Sequence, residues 1–113
     1  DDFGRFVKIY DFAKENATAI NYGTGAYPSF SPIFSTISDR SLFTLALDAK
    51  TRLSFNFEWA FEGNDSNSDL FASQLNKAGF SLPDNYREIR PSVAIGDWRE
   101  KTDSFIGGVK EML

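Results

Sequence analysis

The side chains available for chemistry in this chain are carboxylates, hydroxyls and a few cations, because it has no histidine and no cysteine. The first absence removes the commonest general base and metal ligand. The second removes disulfide, thiol and thiolate-zinc chemistry and fits a cytoplasmic protein. Among what remains, Asp39, Asp48 and Lys50 imitate the spaced acid and Asp-x-Lys with which metal-dependent nucleases hold a divalent ion inside a sheet. The order helix, three strands, helix, strand fits such a core as well. Yet Asp48 and Lys50 fall in DAKT, a short polar segment between two apolar runs, and the only Pro-Asp, Pro83-Asp84, lies far downstream. A β-turn is the expected role. Asp65, Asn67 and Asp69 have the alternating oxygen spacing of a calcium loop, but Leu70 stands where the glycine is needed and Asn76 where the closing glutamate is needed. Glu58 and Glu62 form a conceivable acid and base pair with nothing to place a substrate beside them. No cofactor and no bound metal are expected.

Binding chemistry has more candidates. Tyr22-Gly23-Thr24-Gly25-Ala26-Tyr27 is a glycine-rich turn of the kind that offers amides to phosphate, although the following Pro28-Ser29-Phe30-Ser31-Pro32 does not open a helix as such anion sites normally do. Arg52, Ser54, Asn56 and Glu58 alternate with apolar residues and form the expected wet face of a strand, with Ser29 and Ser31 alongside. An uncovered face of that kind suits polar groups or a partner strand. Arg87 and Arg90 beside Tyr86 make either a small anion spot or surface charge neutralised by Glu88. A further possibility is a small-ligand pocket beneath the sheet, built from Tyr22, Thr24 and residues 29–34.

The elements that must position these residues centre on SLFTLALDAKTRLSFNFEW, residues 41–59, which predicts a β-hairpin. Leu53, Phe55, Phe57 and Trp59 alternate with polar residues, while residues 42–47 are nearly all apolar and predict a strand covered on both faces. Upstream, Phe3, Phe6, Val7, Tyr10 and Ala13 have helical spacing, with Asp1 and Asp2 at the capping end. A short strand is expected over 18–22. Residues 27–34 resume in extended form, with Pro28 and Pro32 predicting an edge or irregular place. Residues 62–68 read as a loop, 70–78 as a helix ended by Gly79 with Phe80 closing the cap, and 91–95 as a short last strand or tie. Asp97 followed by Glu100 looks like a capping box for the last helix, and the interior Gly107-Gly108 predicts close packing.

With 113 residues, 42% hydrophobic and 16% aromatic, the chain is expected to form one α+β domain. Its predicted architecture is a helix, a three- to four-stranded mainly antiparallel meander, and two helices packed on one face. A net charge of −4 argues against a broad phosphate-binding surface and leaves nucleic acid only a local patch. No apolar run is long enough to span a bilayer, so no membrane partner is expected. The opening Asp1-Asp2-Phe3-Gly4, without an initiator Met, reads as the start of a domain trimmed from a longer protein.

Three segments, INYGTGAYPSFSPIF (20–34), SFNFEWAF (54–61) and LNKAGFSLPDNYREIRPSVAI (75–95), resemble an uncharacterised bacterial α+β domain. Its marks are a WGTG-like turn, a G-S-F-x-P stretch and an R-P-S-I/V segment before the last helix. The matching positions are Gly23, Thr24, Gly25, Ser29, Phe30, Pro32, Phe57, Trp59, Arg90, Pro91 and Ser92; Ala26-Tyr27-Pro28 and Asp48-Ala49 depart from the pattern. Such domains are similar to accessory modules of restriction-type and other nuclease proteins. The lack of histidine and cysteine, the acidic balance and the start without Met point to a non-catalytic binding or assembly role, with a protein partner or neighbouring domain, and the resemblance alone supplies a link to bacterial DNA-processing proteins. The residues expected to bind are Tyr22, Gly23, Thr24, Gly25, Ser29, Asn56, Trp59, Arg90 and Ser92. Self-association through an unprotected hairpin edge is a further expectation.

Overall fold

A computed structural model describes residues 2–23 and 25–113; Asp1, expected at the first helix cap, and Thr24, expected in the binding turn, lie outside the described residues. The elements are α1 (Asp2–Asn16), β1 (Ala19–Tyr22), β2 (Ser29–Ile33), β3 (Phe43–Ala46), β4 (Leu53–Phe55), α2 (Phe57–Ala60), α3 (Asp65–Lys77), β5 (Ser92–Val93), α4 (Ile95–Trp98) and α5 (Thr102–Met112). The strands form one antiparallel sheet in the order β1-β2-β3-β4-β5, so the class is α+β and the meander has five strands, one more than the upper expectation. None of the helices is long and apolar enough to cross a membrane among the described residues.

Side-chain alternation decides which side of the sheet is dry. Phe30, Phe43, Leu45, Leu53 and Phe55 point one way and are buried. Ile9, Phe12 and Ala13 of α1, Phe71 and Leu75 of α3, and Phe105 and Val109 of α5 join them in one core. Phe105 sits at its middle, with ring centroids 5.0 Å from Phe43, 6.0 Å from Phe55 and 6.3 Å from Phe80. Gly79, at φ 102°, ends α3 with the Phe80 amide on the Leu75 carbonyl, the expected glycine cap with its apolar follower.

Several expectations are corrected. The second half of the hairpin ends as a strand at Phe55, and Phe57–Ala60 is a helical turn. Phe57, Ala60 and Phe61 are buried at spacings of three and four, so packing against Phe71 overrides the alternating pattern. β2 is interior, not an edge. Its prolines stand at the two ends of the short β2–β3 ladder and need only accept: the Pro28 carbonyl from the Leu47 amide at 2.8 Å, and the Pro32 carbonyl from the Leu42 amide at 3.0 Å. Both hairpin strands are likewise interior, so the unprotected edge belongs to β1 instead. α3 starts at Asp65 rather than near residue 70, because the Asn64 side chain accepts the Asn67 amide at 3.1 Å. Asp97 caps nothing; it lies inside α4, and the last helix begins only at Thr102.

Candidate functional site

The face of the sheet turned away from the core carries one polar row across all five strands. Asn21 pairs with Ser31, the Ser31 and Thr44 hydroxyls share a 2.7 Å hydrogen bond, Thr44 pairs with Ser54, and Ser54 pairs with Ser92. The row follows from strand alternation, since each member is flanked along its strand by residues that turn toward the core. At the β4–β5 end the row opens into a concavity of about 420 Å³ lined by Ala46, Asp48, Arg52, Ser54, Glu58, Arg90 and Ser92.

Its charges are unequally committed. Asp48 Oδ1 accepts the Lys50 amide at 3.0 Å and the Arg52 amide at 3.3 Å, while its Oδ2 lies 3.6 Å from Arg52 Nε. That carboxylate is the organiser of the turn. The turn is fastened again from below: the Lys50 carbonyl accepts the Ile95 amide at 3.0 Å, and Trp98 Nε1 donates to the Thr51 carbonyl at 2.8 Å. Thr51 is held there at φ 47°. Arg90 instead lies over the Trp59 ring, its guanidinium carbon 5.3 Å from the centroid, and enters none of the ion pairs found among the described residues. Stacking fixes a guanidinium by its face and leaves its N–H edge open to a planar or tetrahedral oxyanion. Glu58 is also outside every such pair.

Asn56, expected on the wet face, is wholly buried. Its amide group donates to the Ser41 carbonyl at 3.3 Å, to Ser41 Oγ at 3.2 Å and to Thr44 Oγ1 at 3.2 Å, and Trp59 Nε1 donates to Ser41 Oγ at 3.4 Å. Asn56 therefore ties β4 to the segment before β3 and steadies the tryptophan on which Arg90 rests. Its Oδ1 has no hydrogen-bond partner among the described residues. Trp59 is half-buried and also lines a second concavity, about 450 Å³, together with Asp39, Arg40 and Glu62, the last two paired at 3.1 Å.

The nuclease-like residues are thus distributed: Asp39 lines the second concavity, Asp48 the first, and Lys50 is exposed on the turn. Among the described residues no three acidic side chains gather in a way that could hold a metal. Ser29 is half-buried beside Gly23, where a Cβ would displace the Ser29 hydroxyl from its present position. Gly25 is exposed, with open space around its missing side chain. The Tyr22 and Tyr10 hydroxyls are 2.9 Å apart, a contact that raises the Tyr22 pKa, and Phe30 and Phe34 are spent in the core rather than lining a cavity. Arg87 is neutralised by Asp69, not by Glu88: Asp69 Oδ1 accepts from Arg87 Nε at 3.1 Å and from the Tyr86 hydroxyl at 2.6 Å. These bonds hold the Asp69 carboxyl below the usual range, Arg87 first and Tyr86 second, and raise the Tyr86 and Arg87 pKa values. Asp69 and Asn67, which donates to the Ile37 carbonyl at 2.9 Å, are helical and committed, so the calcium-loop spacing belongs to a helix start. Sequence reasoning missed Asn21 and Thr44 as parts of the polar row, although the alternation of Thr44 with buried Phe43 and Leu45, and of Asn21 with apolar Ile20 and Tyr22, carried the signal.

Comparisons with protein-family models, with curated proteins and with solved structures find no match for this chain.

Proposed function

We propose that the protein is a non-catalytic binding module that works through the open face of its sheet, as an accessory part of a bacterial DNA-processing protein. The observation that carries this reading is Arg90, stacked on Trp59 at the mouth of a polar concavity and outside the ion pairs found among the described residues, with Ser54 and Ser92 beside it. The partner group it suits is a phosphate of a nucleic acid. The stacked guanidinium supplies a charge-assisted donor pair, the serines supply neutral hydroxyls, and Glu58 accepts from an amino or hydroxyl group on the same nucleotide. The three segments that resemble accessory domains of nuclease-type proteins support the DNA link.

The acidic balance sets the expected strength. With a net charge of −4 and Arg52 of the concavity already paired with Asp48, affinity is modest and the salt dependence shallow, with a log–log slope of about −1. Fluorescence anisotropy of a labelled short DNA at low salt tests this. Arg90→Ala should weaken binding about tenfold, the worth of one charge-assisted hydrogen bond, and amide shifts should cluster at Ser54, Ser92 and Trp59. Binding unchanged in Arg90→Ala, shifts confined to the helical side, or an acidic peptide outcompeting DNA would overturn the reading.

A further inference from the structure

The outer edge of β1 has a property independent of the open face. The Gly23 amide donates to the Ser29 carbonyl at 3.0 Å, which fixes the alternation of the β1–β2 ladder. Ala19, Asn21 and Gly23 turn their main-chain groups toward β2, so those of Ile20 and Tyr22 turn outward. β1 is the outermost strand, and these groups have no strand partner among the described residues. Residues 18–22, TAINY, put neither a charge nor a proline on the edge; the one irregularity is at its start, where the Thr18 amide turns inward, out of the alternation, and donates to the Ile33 carbonyl at 2.7 Å. The opposite edge, β5, is only two residues long, with Arg90 and Pro91 just before it.

We infer that the β1 edge pairs with the β1 edge of a second copy, antiparallel about a two-fold axis at Asn21. The register follows from counting outward groups. Setting Ile20 opposite Tyr22 of the partner subunit lets the two residues exchange both N–H···O=C bonds, and symmetry repeats the pair on the other side of the axis. Every outward group of β1 is then satisfied, whereas a register centred on Ile20 or on Tyr22 strands half of them. A self-complementary line is what a two-fold interface requires. The meeting segment bears no charge, so the seam adds no repulsion of its own to that between two chains of net charge −4. The helix-side neighbours across the seam are Ile20 and Tyr22, the latter 60% exposed in the single chain. On the open face the axis sets the two Asn21 amides against each other, and the polar row runs on unbroken into the second subunit.

The short seam makes the dimer weak, so the test reads concentration dependence. In hydrogen exchange, the amides of Asn21 and Gly23 should be protected at every concentration. Those of Ile20 and Tyr22 should gain protection as the protein is raised toward about 1 mM. Sedimentation over the same range should show a two-fold rise in mass, and a mixed-label sample should give an Asn21-to-Asn21 Hα contact between chains. Asn21→Lys, which sets two ammonium groups face to face, should abolish all three signals at low salt and partly restore them at high salt. Protected Asn21 and Gly23 amides in that variant would show that its fold is intact. A wild-type chain that stays monomeric to about 1 mM, exchange at Ile20 and Tyr22 that ignores concentration, or pairing of this edge with a foreign strand alone would each overturn the inference.

Discussion

Asp69 serves two donors on one oxygen, Arg87 and the Tyr86 hydroxyl, and thereby ties α3 to the irregular segment before β5. Its pKa is lowered by folding. The unfolded chain therefore takes up the proton first, at about pH 3.9. The stabilisation is complete above that value and is lost as pH falls through the lower folded value. Asp69→Asn should flatten the acid limb of stability: urea midpoints of variant and wild type should differ at pH 7 and converge toward pH 2. Parallel curves across that range would rule the assignment out. Asn56 shows what a residue-level reading misses. Its place in an alternating run pointed to water, but its partners Ser41 and Thr44 are 15 and 12 residues away and Trp59 is in the next helical turn, and no local pattern announces them.

Elements whose signals are local were legible. The first helix, the DAKT turn and the Gly79-Phe80 cap each follow from a few neighbouring residues and stand where the sequence placed them. The stretch after Phe55 was not legible, because Phe57, Trp59, Ala60 and Phe61 satisfy both a strand period and a helical one, and only the buried face of α3 chooses between them. The paired glycines of α5 divide in a similar way. A Cβ on Gly108 would come within 3.2 Å of Gln74 Cβ, so this glycine admits the close approach of α3, while a Cβ on Gly107 would meet nothing within 4 Å. Gly107→Ala should therefore stabilise the protein by about 1 kcal/mol in chemical denaturation, the helix-propensity difference alone. A loss of stability would mean that the exposed side of α5 is not free.

At the scale of the molecule the fold class was legible from hydrophobic patterning, and the fifth strand was not, because two residues are too few to carry a period. Stability rests on an aromatic core with Phe105 touching three other rings. Phe105→Ala should cost about 3–5 kcal/mol, a large share of the roughly 5–15 kcal/mol a domain of this kind possesses, and thermal melting should fall accordingly. A cost under about 1 kcal/mol would mean that the rings around it close the gap. The two tryptophans, the whole complement of the chain, have unlike surroundings: Trp98 is wholly buried beneath the β3–β4 turn, and Trp59 is half-buried under Arg90 at the open face. The protein thus carries two built-in optical reporters. Emission from Trp98 should stay blue-shifted until the chain unfolds, while Trp59, quenched or released as its guanidinium cover moves, should change first when something settles on the sheet. With Trp59→Phe as the reference, occupancy and unfolding separate into two spectroscopic channels without any added label.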